Sequence, residues 1–283
     1  MDVRSIAREH LDLAVLRKRQ GHKYDHGHAL VLSGGAGRSG AALLAARGAL
    51  RIGAGAVTLG VPPAAQLEVA TQIRALMLAR VADAAALEAI LEDERINILC
   101  LGPGFGLGER QGALLASALR SGRGLVIDAD ALTLLARDAA LFGWLHPGCV
   151  LTPHGGEFAR LFPDLATALE AGMGRAEAAG KAAARAGAWV ILKGSETCVA
   201  GPDGAIARHR ATGERAAPWL ATAGAGDVLA GFVTGLRARG LAPRQAAELA
   251  VWLHVECALD FGAGLIAEDL PERLPRVMNR LGI

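Results

Sequence analysis

The chain has 283 residues, of which 52% are hydrophobic and 20% charged, and its formal net charge is +2. That balance fits a folded globular protein and excludes a disordered one. So weak a charge, with Lys and Arg scattered and only 4% aromatic residues, also excludes a nucleic-acid-binding surface.

Three further classes drop out. No run of about 18 uncharged apolar residues occurs, so no membrane span is expected. Asp2, Glu9 and Asp12 stand among the N-terminal basic residues, and no signal peptide is expected. Cys100, Cys149, Cys198 and Cys257 lie far apart without metal-type pairing. They read as small buried thiols of a reducing, cytoplasmic protein.

In chain order, residues 1–28 are polar and basic, and 1–20 read as a loosely ordered extension. His22, His26 and His28 have neither the helix-face nor the hairpin spacing of a metal site, so their expected role is structural. A strand over 29–33 leads into Gly34-Gly-Ala-Gly-Arg-Ser-Gly40 and a helix through Ile52. Gly35, Gly37 and Gly40 satisfy the G-x-G-x-x-G dinucleotide fingerprint. The next strand, 56–62, ends in Gly-Val-Pro-Pro without the acid that should hold a ribose, which argues against that reading.

A short strand is expected at 75–78, a helix at 83–93 and a buried parallel strand at 96–101. That strand ends in Gly102-Pro-Gly-Phe-Gly-Leu-Gly108, at the edge where open α/β sheets place ligands. Asp128 and Asp130 close the following strand. Asp130 is expected to cap a helix beginning at Ala131, and the role of Asp128 stays open. His154 sits at a strand-to-helix junction, with Glu157 placed to cap the helix. A long helix is expected over 167–187. Lys193 then ends an apolar strand just before glycine, where its ammonium could meet a phosphate as a point charge. Gly201-Pro-Asp-Gly204 marks a hairpin.

The most chemically legible stretch is 220–236. Thr222 to Gly226 is small and flexible, and from Asp227 onward Val228, Leu229, Phe232, Val233 and Leu236 recur at helical spacing. A glycine turn entering a helix gathers unpaired N–H donors at the positive end of the dipole, a ready anion site. Asp227 reads in two ways: as an N-cap, or as a base that deprotonates a hydroxyl exchanging a phosphoryl group. Strands alternating with helices predict one α/β domain over 1–283, a doubly wound, mostly parallel sheet with helices on both faces.

Six of these blocks, in order, resemble the ADP/ATP-dependent NAD(P)H-hydrate dehydratases of the ribokinase-like superfamily. They are the Gly34–Gly40 turn and its Ala-rich helix, Gly102–Gly106, Asp128-Ala-Asp-Ala-Leu132, Thr152-Pro-His-Gly-Gly-Glu157 with Leu192-Lys-Gly-Ser-Glu-Thr197, and Leu220–Gly231. Tyr24, Phe105 and Val255 depart from the family pattern, without catalytic consequence expected at Val255. The resemblance implies a ribokinase-like fold and a hydro-lyase that restores hydrated NADH or NADPH (NADHX, NADPHX) at the expense of ADP or ATP, with Mg²⁺.

It further implies Asp227 as catalytic base, an anion hole at Ala223, Gly224, Ala225 and Gly226, and substrate contacts at Ala41, Gly104, Gly106, His154 and Asp227. Nucleotide contacts are implied at Lys193, Gly194, Ser195, Glu196, Thr197 and Gly226; metal ligands are not identified. A homo-oligomer, often a tetramer in the family, is implied, together with an epimerase that is either a separate protein or a domain of a bifunctional chain of which this is a fragment. A small-molecule kinase of the same superfamily and a non-catalytic nucleotide binder are the competing readings.

Overall fold

Ten strands form one sheet in the computed structural model, which describes residues 3–283. They are β1 (Arg4–Ser5), β2 (His28–Leu32), β3 (Ala56–Val61), β4 (Met77–Arg80), β5 (Ile96–Leu101), β6 (Gly124–Ile127), β7 (Cys149–Leu151), β8 (Trp189–Leu192), β9 (Glu196–Ala200) and β10 (Ile206–Arg210). Their order across the sheet is β1-β10-β9-β8-β7-β6-β5-β2-β3-β4. Every neighbouring pair is parallel except β8–β9 and β9–β10.

The central strands are apolar on both sides because both faces are covered. In β2, Ala29 and Val31 join one core while Leu30 and Leu32 join the other. Helices Gly40–Arg51, Ala225–Ala238, Pro243–Phe261 and Asp269–Arg280 feed the first core. Helices Glu109–Arg120, Ala129–Arg137, Gly155–Leu161 and Arg175–Ala186 feed the second. On the first face, two helices touch backbone to backbone: a Cβ on Gly231 would stand 2.2 Å from the Ala45 carbonyl oxygen. That contact sets the Gly34–Gly40 turn and the Thr222–Gly226 turn side by side.

Several expectations change on folding. Residues 3–20 are not a loose extension: β1 pairs with β10, Ile6 and Leu16 are buried, Arg4 pairs with Glu248, and Arg239 donates to the Val15 carbonyl at 2.8 Å. The segment covers an edge that β10 would otherwise leave unpaired. The helix expected over 167–187 is two, Pro163–Glu170 and Arg175–Ala186, interrupted where Gly172 turns to φ +101°. The strand expected at 75–78 runs instead from Met77 to Arg80, registered on β3. His28 is buried, with Nε2 2.8 Å from Thr58 Oγ1, while His22 caps a short turn. No helix among the described residues is long and apolar enough to cross a membrane.

Candidate active site

The chain winds outward through β2, β3 and β4 in one direction and β5 through β8 in the other, so the switch point lies between β2 and β5. Ligands of such sheets bind outside the carboxyl ends of the strands at that point. The turns after β2 and β5 meet there: a Cβ on Gly34 would be 1.9 Å from the Gly104 carbonyl oxygen, and one on Gly104 would be 3.5 Å from Ala41 Cβ. Two expected substrate contacts, Ala41 and Gly104, are thus brought together. The amide of the third, Gly106, is already engaged, donating to Asp130 Oδ2 at 2.7 Å. Asp130 therefore does not cap a helix as expected; it lies in the first turn of Ala129–Arg137 and pins the neighbouring glycine loop.

Across this crevice, the helix that carries Asp227 begins two residues earlier than the spacing indicated, at Ala225. Gly224 is its N-cap, at φ +88°. A side chain there would be strained and would meet Leu44 Cδ1 at 2.6 Å and Ala267 Cβ at 2.8 Å. Asp227 is consequently the third helical residue and not the N-cap, and its carboxylate takes no hydrogen bond among the described residues. The amides of Ala223, Gly224, Gly226 and Asp227 find no backbone acceptor among those residues, and Ala225 reaches the Thr222 carbonyl only at 3.4 Å. First-turn amides without partners are what an anion site requires. His254, buried and with its proton affinity pushed down to about 4 by burial, donates from Nε2 to the Ala225 carbonyl at 2.8 Å. That bond fixes the first residue of the helix.

Beside the amides stands Lys193. Its Nζ would lie 3.2 Å from a Cβ on Gly226 and donates to Asp128 Oδ1 at 2.8 Å, with Glu157 Oε2 at 3.8 Å. Asp128 is 1% exposed and also accepts from the Thr152 hydroxyl at 2.7 Å. Ala129, next to it, is held at φ +44°, a strained position for a residue with a Cβ. Burial alone would depress the Lys193 ammonium; the charges of Asp128, Glu157 and Asp227 outweigh it and raise its pKa. For Asp227, burial first and the Asp128 charge second push the carboxyl up to about 7, against the pull of Lys193. A carboxylate poised near neutrality, facing free amides, is suited to taking a proton from an alcohol.

A cavity of about 580 Å³ opens from this point and is bordered by Lys193, Gly194, Ser195, Thr197 and Gly226. Five of the six expected nucleotide contacts therefore share one cavity. Glu196 does not border it: its carboxylate pairs with Arg210 at 2.6 Å and its carbonyl accepts from Arg175 at 3.1 Å. His154 borders the same cavity and not the Ala41–Gly104 contact. It caps Gly155–Leu161, with Nδ1 accepting from Gly156 at 3.0 Å, and Glu157 accepts the His154 amide at 2.8 Å. Val255 also borders the cavity, so that departure from the family pattern shapes its wall. A second cavity of about 580 Å³, between residues 3–9 and Arg280, borders no residue of the anion hole.

Three residues of this site were not assigned by sequence reasoning. Asp128 could be suspected only from its place at the end of a buried strand. His254 and Arg175, which donates to the Lys193 carbonyl at 2.9 Å, carried no local signal. No group of three His, Cys, Asp or Glu side chains among the described residues could hold a metal. Asp128 and Glu157 are already engaged, the first with Lys193 and the Thr152 hydroxyl and the second with the His154 amide, so neither stands free for an ion carried by nucleotide phosphates.

The family model described as NAD(P)H-hydrate dehydratase matches residues 29–280. The chain is 38% identical over 279 residues to a bifunctional NAD(P)H-hydrate repair enzyme of Moorella thermoacetica, covering 94% of this chain and 52% of that protein. It is 34% identical over 277 residues to an ADP-dependent (S)-NAD(P)H-hydrate dehydratase of Neisseria meningitidis, covering 94% and 89%. It also matches the crystal structure of a Bacillus subtilis ADP/ATP-dependent NAD(P)H-hydrate dehydratase co-crystallized with ATP and Mg²⁺, at 30% identity, TM-score 0.81 and 99% coverage of both chains. The chain spans about half the length of the bifunctional relatives it matches.

Proposed function

The chain belongs to the NAD(P)H-hydrate dehydratase family, with a ribokinase-like fold, and from that premise we propose that it dehydrates the S-epimer of NADH or NADPH hydrate, consuming ADP or ATP. The single observation that carries this reading is the pairing of unoccupied first-turn amides with the hydrogen-bond-free carboxylate of Asp227. A protein that only bound nucleotide would have no use for a negative charge at that place.

Hydroxide is a poor leaving group, and phosphate is a good one. In this reading Asp227 takes the proton of the ring hydroxyl as the terminal phosphoryl group passes to that oxygen, releasing AMP from ADP, or ADP from ATP. The amides of Ala223 to Gly226 hold the charge that accumulates on the transferring group, as preorganised donors do. The C–O bond then breaks with the ring nitrogen's electron pair, phosphate departs, the adjacent carbon gives up a proton, and the double bond returns. Lys193 would hold the phosphate end of the nucleotide and the cavity its base; Ala41 and Gly104 would contact the nicotinamide end. Mg²⁺, when bound, would ride on the nucleotide phosphates and supply charge neutralisation there.

The bifunctional relatives support a second repair activity working beside this one, an epimerase carried either by a separate protein or by the same longer chain. A cytoplasmic homotetramer completes the reading. The test is to incubate the protein with NADH hydrate and ADP or ATP and follow absorbance in the NADH band. Recovery of absorbance with release of stoichiometric phosphate is expected. A stable phosphorylated product without NADH would make the protein a kinase of the same fold.

A further inference from the structure

Beyond the nucleotide cavity, the described residues place a second, smaller pocket against the anion hole. Among them, five large hydrophobic side chains are well exposed, and two of the five, Trp219 (48%) and Ile266 (52%), border one groove of about 310 Å³. Pro218, Ala221, Thr222 and Leu265 complete its walls, and no charged side chain borders it. Both walls are fixed. Pro218–Leu220 forms a helical turn, and the Ile266 amide donates to Asp269 Oδ2 at 2.9 Å. Ala267, next to Ile266, packs on Gly224 of the anion hole.

Pro218 and Ala221 border both the groove and the nucleotide cavity, so this short segment is a partition between them. The groove ends at Thr222, where the free amides begin. Two ligands must meet there, one on each side of the partition. The hydrated nicotinamide ring carries a tetrahedral carbon where water added and is a poor stacking partner. The adenine at the other end of the dinucleotide is flat and uncharged. The groove's volume is at the lower end of the range for ligand pockets, about 300–1,000 Å³, and its lining would repel a pyrophosphate but welcome a planar ring.

We propose that the groove between Trp219 and Ile266 is the subsite for the adenine of the hydrated dinucleotide, with Trp219 as its stacking platform. The proposal rests on the dehydratase reading. It makes Trp219 a residue of substrate binding that plays no part in phosphoryl transfer.

The experiment compares wild type, Trp219→Ala and Trp219→Phe on two substrates with ADP: NADH hydrate, and the hydrate of reduced nicotinamide mononucleotide, which lacks the adenylate half. For NADH hydrate, Trp219→Ala should raise KM about tenfold, the loss of one stacked base, with kcat and the KM for ADP unchanged. Trp219→Phe should recover most of the loss. For the mononucleotide hydrate, wild type and Trp219→Ala should have the same KM. Equal losses on both substrates, a raised KM for ADP, or no change in KM would each overturn the subsite. So would a change in sedimentation mass with KM intact, which would make Trp219 a contact between copies of the chain. Absence of turnover by the wild type on either substrate would instead overturn the dehydratase reading, and the subsite with it.

Discussion

Two glycine turns enter two helices that lie side by side, and a carboxylate of the protein reaches into only one of them. In the Gly34–Gly40 turn, the Gly37 amide donates to Glu68 Oε2 at 2.7 Å and the Ser39 hydroxyl donates to Glu68 Oε1. These bonds hold the Glu68 carboxyl below its ordinary range, the Ser39 bond foremost. In the Thr222–Gly226 turn, the corresponding donors meet no backbone acceptor among the described residues. One turn thus carries a carboxylate of the protein at the Gly37 amide and the Ser39 hydroxyl, while the other carries none. Glycine spacing alone does not make an anion site; what matters is whether the fold delivers a competing acceptor.

The contrast can be broken most directly at Asp227. Asp227→Asn should lower kcat by about 10²–10⁴, the contribution of a positioned general base, with ADP affinity by calorimetry nearly unchanged; unchanged turnover would remove Asp227 from the chemistry. Next in size is Gly224→Ala, whose Cβ has no room and whose φ is unfavourable. Displacing the amides should cost about 10²-fold in kcat, the scale of one lost oxyanion donor. An equivalent loss from Gly37→Ala would mean that the turn bonded to Glu68 matters as much as the other.

Lys193→Met leaves Asp128 buried without its counter-charge. Urea unfolding should show a loss of about 3–5 kcal/mol, together with a raised KM for ADP. The pH dependence sharpens the picture further. With Asp227 pushed up to about 7, kcat/KM should fall below about pH 7 as the base is protonated, by up to tenfold per unit. Asp128→Asn removes a charge that raises Asp227 and should move this limb to lower pH. The stability sign is opposite to that of a paired carboxylate. The native state binds more protons than the unfolded chain between about 4, the unfolded Asp value, and about 7, so the fold weakens as pH rises through that window. Asp227→Asn should flatten that part of the stability curve. The smallest effect is expected from Glu68→Ala: the Gly37 amide resonance should become sensitive to added phosphate, while kcat/KM changes by about twofold at most.

Much of this was readable before folding, and the reason is locality. Continuous apolar runs marked β5 and β8, because strands buried on both faces need no polar side. The small residues from Thr222 to Gly226 marked a turn into a helix, because only they suit a left-handed N-cap such as Gly224. Element ends were less well marked. The break at Gly172 lay inside an Ala-rich run, and the pairing of β1 with β10 links residues about two hundred positions apart.

The amino-acid order by itself thus determined the layered sheet, the glycine turns and the presence of a carboxylate and an ammonium at strand and helix ends. Only the tertiary structure decided their chemistry. Asp128 meets Lys193 across 65 positions of chain, His254 reaches back 29 to hold Ala225, and Glu68 closes a turn 31 positions before it. Proton affinity and amide availability depend on desolvation and on which partners arrive in space, and neither quantity is encoded in spacing along the chain.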